Sequence, residues 1–247
     1  TGEPSVILGF KHSFQEPEQP IVEETDIKEA DAPIYVLARN SGEGKDRRAE
    51  KGDYYLSDRE LQNIRFMTEN YSNCVVLLNT GGVIDLTELR KISGVQAILL
   101  TGQTGNMGGH AVADVLMAKT VPSGKLTDTW ARSYDDYPSS RTFSYRDDNL
   151  DDEYYSDGIY VGYRYFDTFG IMPLYCFGYG KGYTDFSLVT KEVTADEKLV
   201  KVEVEVTNIG KVYPGREVVQ VYYSAPDGVM ENQHRSLQDL PRQSFSC

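Results

Sequence analysis

Three unbroken apolar runs constrain the fold of this 247-residue chain more than any other feature. They lie within residues 31–39, 74–79 and 95–101, and helical patterns follow the first and third of them, at about 57–71 and 108–118. Strands that are apolar without alternation are typical of parallel sheets whose two faces are both covered. Because strands and helices alternate along the chain, the sequence predicts an α/β fold, with a mostly parallel sheet sandwiched by helices.

The sequence changes character after about residue 138. Residues 139–157 are polar and acidic, and residues 158–186 are rich in aromatic side chains and glycine. Beyond them, strands are predicted at 186–193, 199–208 and 216–224, and the middle one alternates valine with lysine or glutamate. A complete β-sandwich needs about seven strands. The sequence therefore predicts an incomplete antiparallel β-sandwich after the α/β part.

These changes divide the chain into five predicted segments. In order they are a linker or incomplete N-terminal segment (1–30), an α/β sandwich domain (31–157), an aromatic connecting segment (158–185), a partial β-sandwich (186–228) and an irregular tail (229–247).

Composition excludes several classes of partner. The net charge is −13 and the isoelectric point is near 4.7, which argues against binding to nucleic acid or to anionic membranes. The three cysteines and three histidines are scattered and show no disulfide or metal-ligand spacing. We find neither an apolar run of membrane-spanning length nor a signal peptide, and we expect a cytoplasmic location.

One carboxylate stands out as a candidate for chemistry. Glu43 lies between Gly42 and Gly44, directly after the first predicted strand. Glycines on both sides let the backbone turn sharply and let another molecule or domain approach closely. A carboxylate at the end of a strand is well placed for proton transfer. From the spacing alone, a solvated glutamate in a glycine-rich turn is the favoured interpretation, because a single glutamate is weak evidence of a catalytic role.

The wider sequence resembles the C-terminal half of glycoside hydrolase family 3, the β-glucosidase and β-xylosidase family, over roughly residues 30–225. The segments that carry the resemblance occur in the order of the family. They are SGEGKDR (41–47), KGDYYLS (51–57), VVLLNTGGVID (75–85), GGHAVADVL (108–116), PSGKLTDTWA (122–131), GIYVGYRYFDTFG (158–170) and YCFGYGKGYTDF (175–186). The resemblance implies that the partial β-sandwich is fibronectin type III-like.

The resemblance also implies a reaction. Family members retain configuration at the sugar and use two carboxylates, which lie about 5–5.5 Å apart in retaining enzymes. By resemblance Glu43 is the acid/base, and Lys45, Asp46 and Arg47 look like residues that shape its loop. The nucleophile is an aspartate on a (β/α)₈ barrel, which needs roughly 200 residues or more that this chain lacks. The implied substrate is a terminal β-linked sugar, most simply a β-glucoside or a related oligosaccharide, with no metal or cofactor. The sequence leaves the oligomeric state open.

Two other functions stay open. The chain could be a non-catalytic carbohydrate-binding or structural module. Alternatively, the glycine-rich loop at 102–109 could hold a phosphate at a helix N-terminus, although it matches neither of the usual nucleotide-binding patterns.

The tail after Val229 shows no alternation and nothing that resembles the family. Shifting the reading frame over 231–247 permits family-like text, so we interpret the tail as the product of a frameshift. An unrelated natural tail is the alternative explanation.

Overall fold

The computed structural model describes residues 5–7, 10–12, 20–23, 32–39, 46–149, 151–224, 236–238 and 243–245. In chain order its strands and α-helices are β1 (Ser5–Ile7), β2 (Phe10–His12), β3 (Ile34–Ala38), α1 (Asp58–Asn70), β4 (Cys74–Asn79), β5 (Val95–Leu100), α2 (Gly108–Leu116), α3 (Tyr163–Phe169), β6 (Phe186–Ala195), β7 (Val200–Asn208), β8 (Gly215–Glu217), β9 (Val221–Tyr223), β10 (Ser236–Gln238) and β11 (Gln243–Phe245). Short 3₁₀ turns occur at 89–91, 134–136 and 144–147.

The described residues divide into two compact units. The first takes its residues from 1–108 and 130–156, and the second from 109–129 and 157–247. The second unit includes the segment 109–129, which the sequence analysis assigns to the α/β domain. The five-segment division stays a prediction.

The first unit is built on a parallel sheet of order β3-β4-β5. Central strand β4 is buried along most of its length, with Cys74, Val76 and Leu78 almost without exposed surface. Helix α1 packs on this sheet through Ile64 and Met67, which are 0% and 4% exposed. The α/β class predicted from the unbroken apolar runs is confirmed.

The edge strands of this sheet are less covered than β4. On β3, Tyr35 and Leu37 are buried, whereas Ile34 and Val36 on the opposite face are 46% and 49% exposed. The sequence does not reveal this difference, because an apolar strand has the same appearance whether one or both of its faces are covered.

Helix α1 begins where local sequence predicts it. The Ser57 hydroxyl accepts a hydrogen bond from Glu60 N (3.1 Å), and the Glu60 carboxylate accepts one from Ser57 N (2.7 Å). This capping box satisfies two amides that a helix start would otherwise leave unpaired.

The second unit contains a long antiparallel pair, β6 and β7. The register shifts between Thr190 and Glu192, so Lys191 forms a bulge. A one-residue shift moves every later side chain to the other face. The bulge therefore places Val193, opposite Val202, on the same face as Leu188, opposite Val206.

Two motifs of the family resemblance pack against each other in this unit. Leu126 N donates to Tyr179 O and Gly178 N donates to Leu126 O, both over 2.8 Å. A Cβ on Gly180 would lie 2.4 Å from the Gly124 carbonyl oxygen, so this close approach requires glycine.

Two local predictions are wrong. The strand predicted at 216–224 is two short strands, β8 and β9. The tail is not irregular throughout, because β10 pairs with β9 and β11 pairs with β8. Residues 1–30, predicted as a linker or an incomplete N-terminal segment, contain the β1–β2 hairpin, whose three-residue strands are too short to produce a recognisable period. The fibronectin type III-like assignment of the second unit stays a prediction.

Candidate active site

The candidate acid/base Glu43, with its neighbours Ser41 to Lys45, lies outside the described residues. The structure describes both flanks of this segment. Arg39 follows β3 directly, and the chain is described again from Asp46 onwards. Glu43 therefore lies in sequence between a strand of the parallel sheet and a segment whose contacts are known.

Arg39, the first of these flanks, is buried, and all three nitrogens of its guanidinium donate hydrogen bonds. It is 5% exposed, and its two terminal nitrogens donate to Glu60 Oε1 (2.6 Å) and Oε2 (2.9 Å). Its Nε donates to the backbone oxygen of Asp53 over 2.6 Å. A buried guanidinium is tolerated only when it is paired and hydrogen-bonded, and the two-pronged contact with a carboxylate is its strongest form. Arg39 thereby fixes the carboxyl end of β3 to the start of α1.

Arg47, the second flank, makes three contacts. Its Nε donates to Asp53 Oδ1 (2.7 Å), NH2 donates to Asp53 O (2.8 Å), and NH1 donates to Val83 O (2.9 Å). Val83 follows the glycine pair after β4. Arg47 therefore connects its segment to the carboxyl end of the central strand.

Asp53 is the common partner of both flanks. Its backbone oxygen accepts from Arg39 and from Arg47, and its carboxylate accepts from Arg47 and from Arg48 N (2.7 Å). A tight turn presents this oxygen: Gly52 has φ +87°, a left-handed conformation that favours glycine. We call Arg39, Arg47, Asp53 and Glu60 the loop clamp.

Tyrosines and arginines pack together in the same unit. The rings of Tyr54 and Tyr134 meet edge-to-face at 5.0 Å, and the Arg146 guanidinium lies 5.0 Å from the centre of the Tyr134 ring. Burial raises the pKa of Tyr54 and of Tyr134 above the ordinary value of 10.0. Both phenols are therefore neutral at physiological pH and pack as rings instead of acting as bases.

The sequence contains two Ser-Asp pairs, Ser57-Asp58 and Ser156-Asp157, and neither of them supplies a buried nucleophile. Asp58 is on the first turn of α1, where its 79% exposed side chain pairs with Lys51 Nζ at 2.6 Å. Asp157 is in a turn in which its backbone oxygen accepts from Tyr160 N. Neither arrangement contradicts the expectation that the nucleophile lies on a barrel.

The glycine-rich loop at 102–109 has a packing role. Gly108 N donates to Gly105 O (2.8 Å), and a Cβ on Gly108 would lie 1.9 Å from Thr104 Oγ1. The threonine side chain thus occupies the space beside the first residue of α2. This arrangement favours ordinary packing over the phosphate-binding alternative.

The described part of the chain offers neither a metal-binding cluster nor a membrane-spanning helix. There, no cluster of three or more His, Cys, Asp or Glu side chains could hold a metal ion. No helix in that part is long and apolar enough to cross a membrane.

Sequence reasoning found Glu60 as a cap but missed it as the partner of Arg39. A charged residue directly after a buried strand was a usable signal, because such a residue needs a partner. Asp53 could not be found this way, because the atom that accepts hydrogen bonds from both arginines is its backbone oxygen, and a backbone oxygen is present at every residue.

The comparisons with known proteins agree with this architecture. The model of the glycosyl hydrolase family 3 C-terminal domain matches residues 3–163. β-Glucosidase A of Butyrivibrio fibrisolvens is 39% identical over 239 residues, which cover 81% of this chain and 28% of that protein. A β-glucosidase of Ruminococcus albus is 39% identical over 199 residues, which cover 80% of this chain and 20% of that protein.

The fold of this chain also matches that of a solved β-glucosidase structure. β-Glucosidase 3B of Thermotoga neapolitana, in complex with glucose, superposes with a TM-score of 0.86 at 35% identity, covering 100% of this chain and 35% of that one. The chain thus spans a fifth to a third of the length of these relatives. On this match of sequence, fold and motif order, the chain belongs to glycoside hydrolase family 3 and corresponds to its C-terminal domain.

Proposed function

We propose that this chain is the acid/base-bearing part of a retaining, exo-acting β-glucosidase. The observation that carries the proposal is the similarity to β-glucosidases, one of which is in complex with glucose, together with the SGEGKDR segment after β3. The substrate would be a β-glucoside or a related oligosaccharide, cut at its non-reducing end.

In this proposal Glu43 acts twice. It first protonates the oxygen of the leaving group while the nucleophile attacks the anomeric carbon and forms a glycosyl-enzyme. It then removes a proton from the water that hydrolyses this intermediate, and so regains its own proton. A (β/α)₈ barrel would supply the nucleophile and most contacts to the terminal sugar. The relatives extend well beyond the region matched by this chain, which leaves room for such a domain.

The position of the segment supports the role of Glu43. In open α/β sheets, ligands bind outside the carboxyl ends of the strands. The Glu43 segment follows the carboxyl end of β3, and Arg47 connects it to the chain after β4. Both flanks of the segment therefore lie near the carboxyl ends of β3 and β4, the edge of the sheet at which ligands are expected to bind.

The decisive experiment is Glu43→Gln in the protein that joins this sequence to a family 3 barrel. We expect turnover of natural disaccharides to fall about 10²–10⁴-fold, the usual contribution of general acid–base catalysis. The loss should be smaller for aryl glucosides with good leaving groups, because these need less protonation. Azide should restore part of the rate, since it attacks the glycosyl-enzyme without help from a base.

Glu23→Gln is a suitable control, because Glu23 lies in the same unit but far from SGEGKDR in sequence. Unchanged hydrolysis of disaccharides by Glu43→Gln would reject the acid/base role. Binding of glucose by the chain without a barrel, together with such a result, would favour the carbohydrate-binding module.

A further inference from the structure

The β6–β7 ribbon of the second unit has an apolar face that is largely uncovered. The register defines the side chains of this face, which we call the valine face: Phe186, Leu188, Thr190, Val193, Ala195, Val200, Val202, Val204, Val206 and Asn208. None of these side chains is charged, although 26% of the residues of the chain are. Leu188, Val193 and Val200 are 49%, 59% and 62% exposed. A two-stranded ribbon is only marginally stable in water, and further strands stabilise it.

The two outer edges of the ribbon differ in their ability to accept such a strand. Among the described residues, β6 and β7 pair only with each other, so both outer edges present unpaired backbone groups there. On β6 the bulge at Lys191 interrupts the ladder, and bulges hinder the pairing of an edge with another strand. β7 contains no extra residue between Val200 and Asn208. The edge of β7 is therefore the one that can accept a further strand.

The charges on the opposite face of β7 favour a second copy of the same strand as the partner. Two antiparallel strands related by a two-fold axis keep their like faces on one side, and the residue on the axis sets the register. With Val202 on the axis, Lys201 of each copy lies opposite Glu203 of the other, which forms two pairs of opposite charge. On the valine face, Val200 of each copy then lies opposite Val204 of the other.

The neighbouring registers are disfavoured by like charges. An axis at Lys201, Glu203 or Glu205 places that residue opposite itself. An axis at Val204 places Glu203 of each copy opposite Glu205 of the other. Like charges directly opposite each other destabilise a pair of strands. Among the registers centred on residues 201–205, only the one at Val202 is free of such a pair.

We propose that the edge of β7 is a dimerisation surface for a second copy of this chain, which pairs with it antiparallel about a two-fold axis at Val202. The pairing satisfies the backbone groups of this edge and extends each two-stranded ribbon to a four-stranded sheet. The two contacts between Lys201 and Glu203 counteract locally the repulsion between chains that each carry a net charge of −13.

Sedimentation velocity of the full 247-residue chain tests the proposal. We expect an equilibrium between a 27.8 kDa monomer and its dimer that depends on protein concentration. Lys201→Glu and Glu203→Lys each place like charges opposite each other, so each should raise the dissociation constant on the order of 10-fold. The double variant exchanges the two charges and should restore the affinity of the unchanged chain. Lys211→Glu, in the loop after β7, makes the same change in net charge as Lys201→Glu and should have little effect.

Cysteine crosslinking tests the register directly. Val202→Cys places two thiols beside the axis, where the Cβ atoms of opposite residues are about 4.5–5.5 Å apart, close enough for a disulfide after a small shift. The thiols of Val206→Cys are displaced from the axis in opposite directions and lie about 27 Å apart at about 3.4 Å per residue. Oxidation with copper–phenanthroline should therefore link two copies of Val202→Cys but not of Val206→Cys. The unchanged chain gives the baseline, because its own Cys176 is exposed.

A chain that stays monomeric at every concentration measured would overturn the proposal. The same holds for a dimer whose affinity does not respond to the exchange of charges, or that crosslinks equally at positions 202 and 206. Circular dichroism shows whether each variant is folded. If a charge variant is unfolded, the crosslinking comparison, which changes only valines, decides instead.

Discussion

Arg47 and Asp53 are joined twice, once between side chains and once from the guanidinium to the backbone. Arg47 Nε donates to Asp53 Oδ1 over 2.7 Å, and NH2 donates to the Asp53 backbone oxygen over 2.8 Å. The second bond does not depend on the side chain of residue 53. Substitution of Asp53 therefore weakens the contact without abolishing it, whereas substitution of Arg47 removes both bonds.

The first prediction concerns the buried ion pair. Glu60→Gln can still cap α1, because glutamine also serves in a capping box, but it leaves Arg39 buried without its counter-charge. We expect the free energy of unfolding to fall by about 3–5 kcal/mol, the usual cost of breaking a buried pair by removing one partner. Urea-induced unfolding measures this, with Asp58→Asn, at an exposed pair, as a control with little effect. Equal effects of the two substitutions would contradict the importance of the pair.

The second prediction concerns alkaline pH. Burial raises the pKa of Tyr54 above 10.0 in the folded state, so the folded chain holds this proton more tightly than the unfolded chain. The contribution of Tyr54 is fully present below pH 10 and is lost as pH rises above it. The free energy of unfolding should fall less steeply between about pH 9 and 11 in Tyr54→Phe than in the unchanged chain. Tyr155→Phe, at a 96% exposed position, should not alter the slope.

The third prediction concerns activity without a barrel. The purified chain should not hydrolyse aryl β-glucosides at an enzyme-like rate, because loss of one member of a catalytic pair can remove most of the rate. A chromogenic aryl glucoside assay measures this, with the barrel-containing protein as the positive control. Robust turnover by the chain, unaffected by Glu43→Gln, would mean that the catalytic groups lie elsewhere.

The fourth prediction concerns the bulge at Lys191. Deleting Lys191 should remove the bulge and leave a regular ladder, with Val193 still opposite Val202 on the face that carries Leu188 and Val206. Cross-strand pairs contribute roughly 0.2–1 kcal/mol each, and the deletion keeps them, so we expect the stability of the second unit to change by less than about 1 kcal/mol. Deleting Glu197, in the turn between β6 and β7, is the matched control for chain shortening. A loss of stability much larger than that of the Glu197 deletion would show that the bulge itself, and not the pairing on either side of it, stabilises the two strands.

Much of the first unit could be predicted from the sequence because its signals are local. Strand β4 was predicted with the observed bounds, since its apolar run is unbroken and ends at polar residues on both sides. Helix α1 was predicted within a residue at each end, because Ser57 and Glu60 form a local cap.

Contacts between distant residues were the part that could not be predicted. The pairing of Arg39 with Glu60 joins residues that are 21 positions apart, and neither has a local pattern that names the other. The two hydrogen bonds to the Asp53 backbone oxygen could not be predicted from the side-chain types, because their acceptor is a backbone atom. In the second unit, β8 and β9 were predicted as one strand, because a break in pairing is set by the partner strands and not by the strand itself.

Glu60 caps α1 and binds Arg39 with the same carboxylate, and this has a consequence for local opening. Fraying of the first turn of α1 would free the capping oxygen and release the Arg39 guanidinium at the same time. The helix start and the carboxyl end of β3 should therefore open as one cooperative unit. In hydrogen exchange, the amides of Ser57, Glu60 and Arg39 should share a similar opening free energy, although they lie in three different structural contexts.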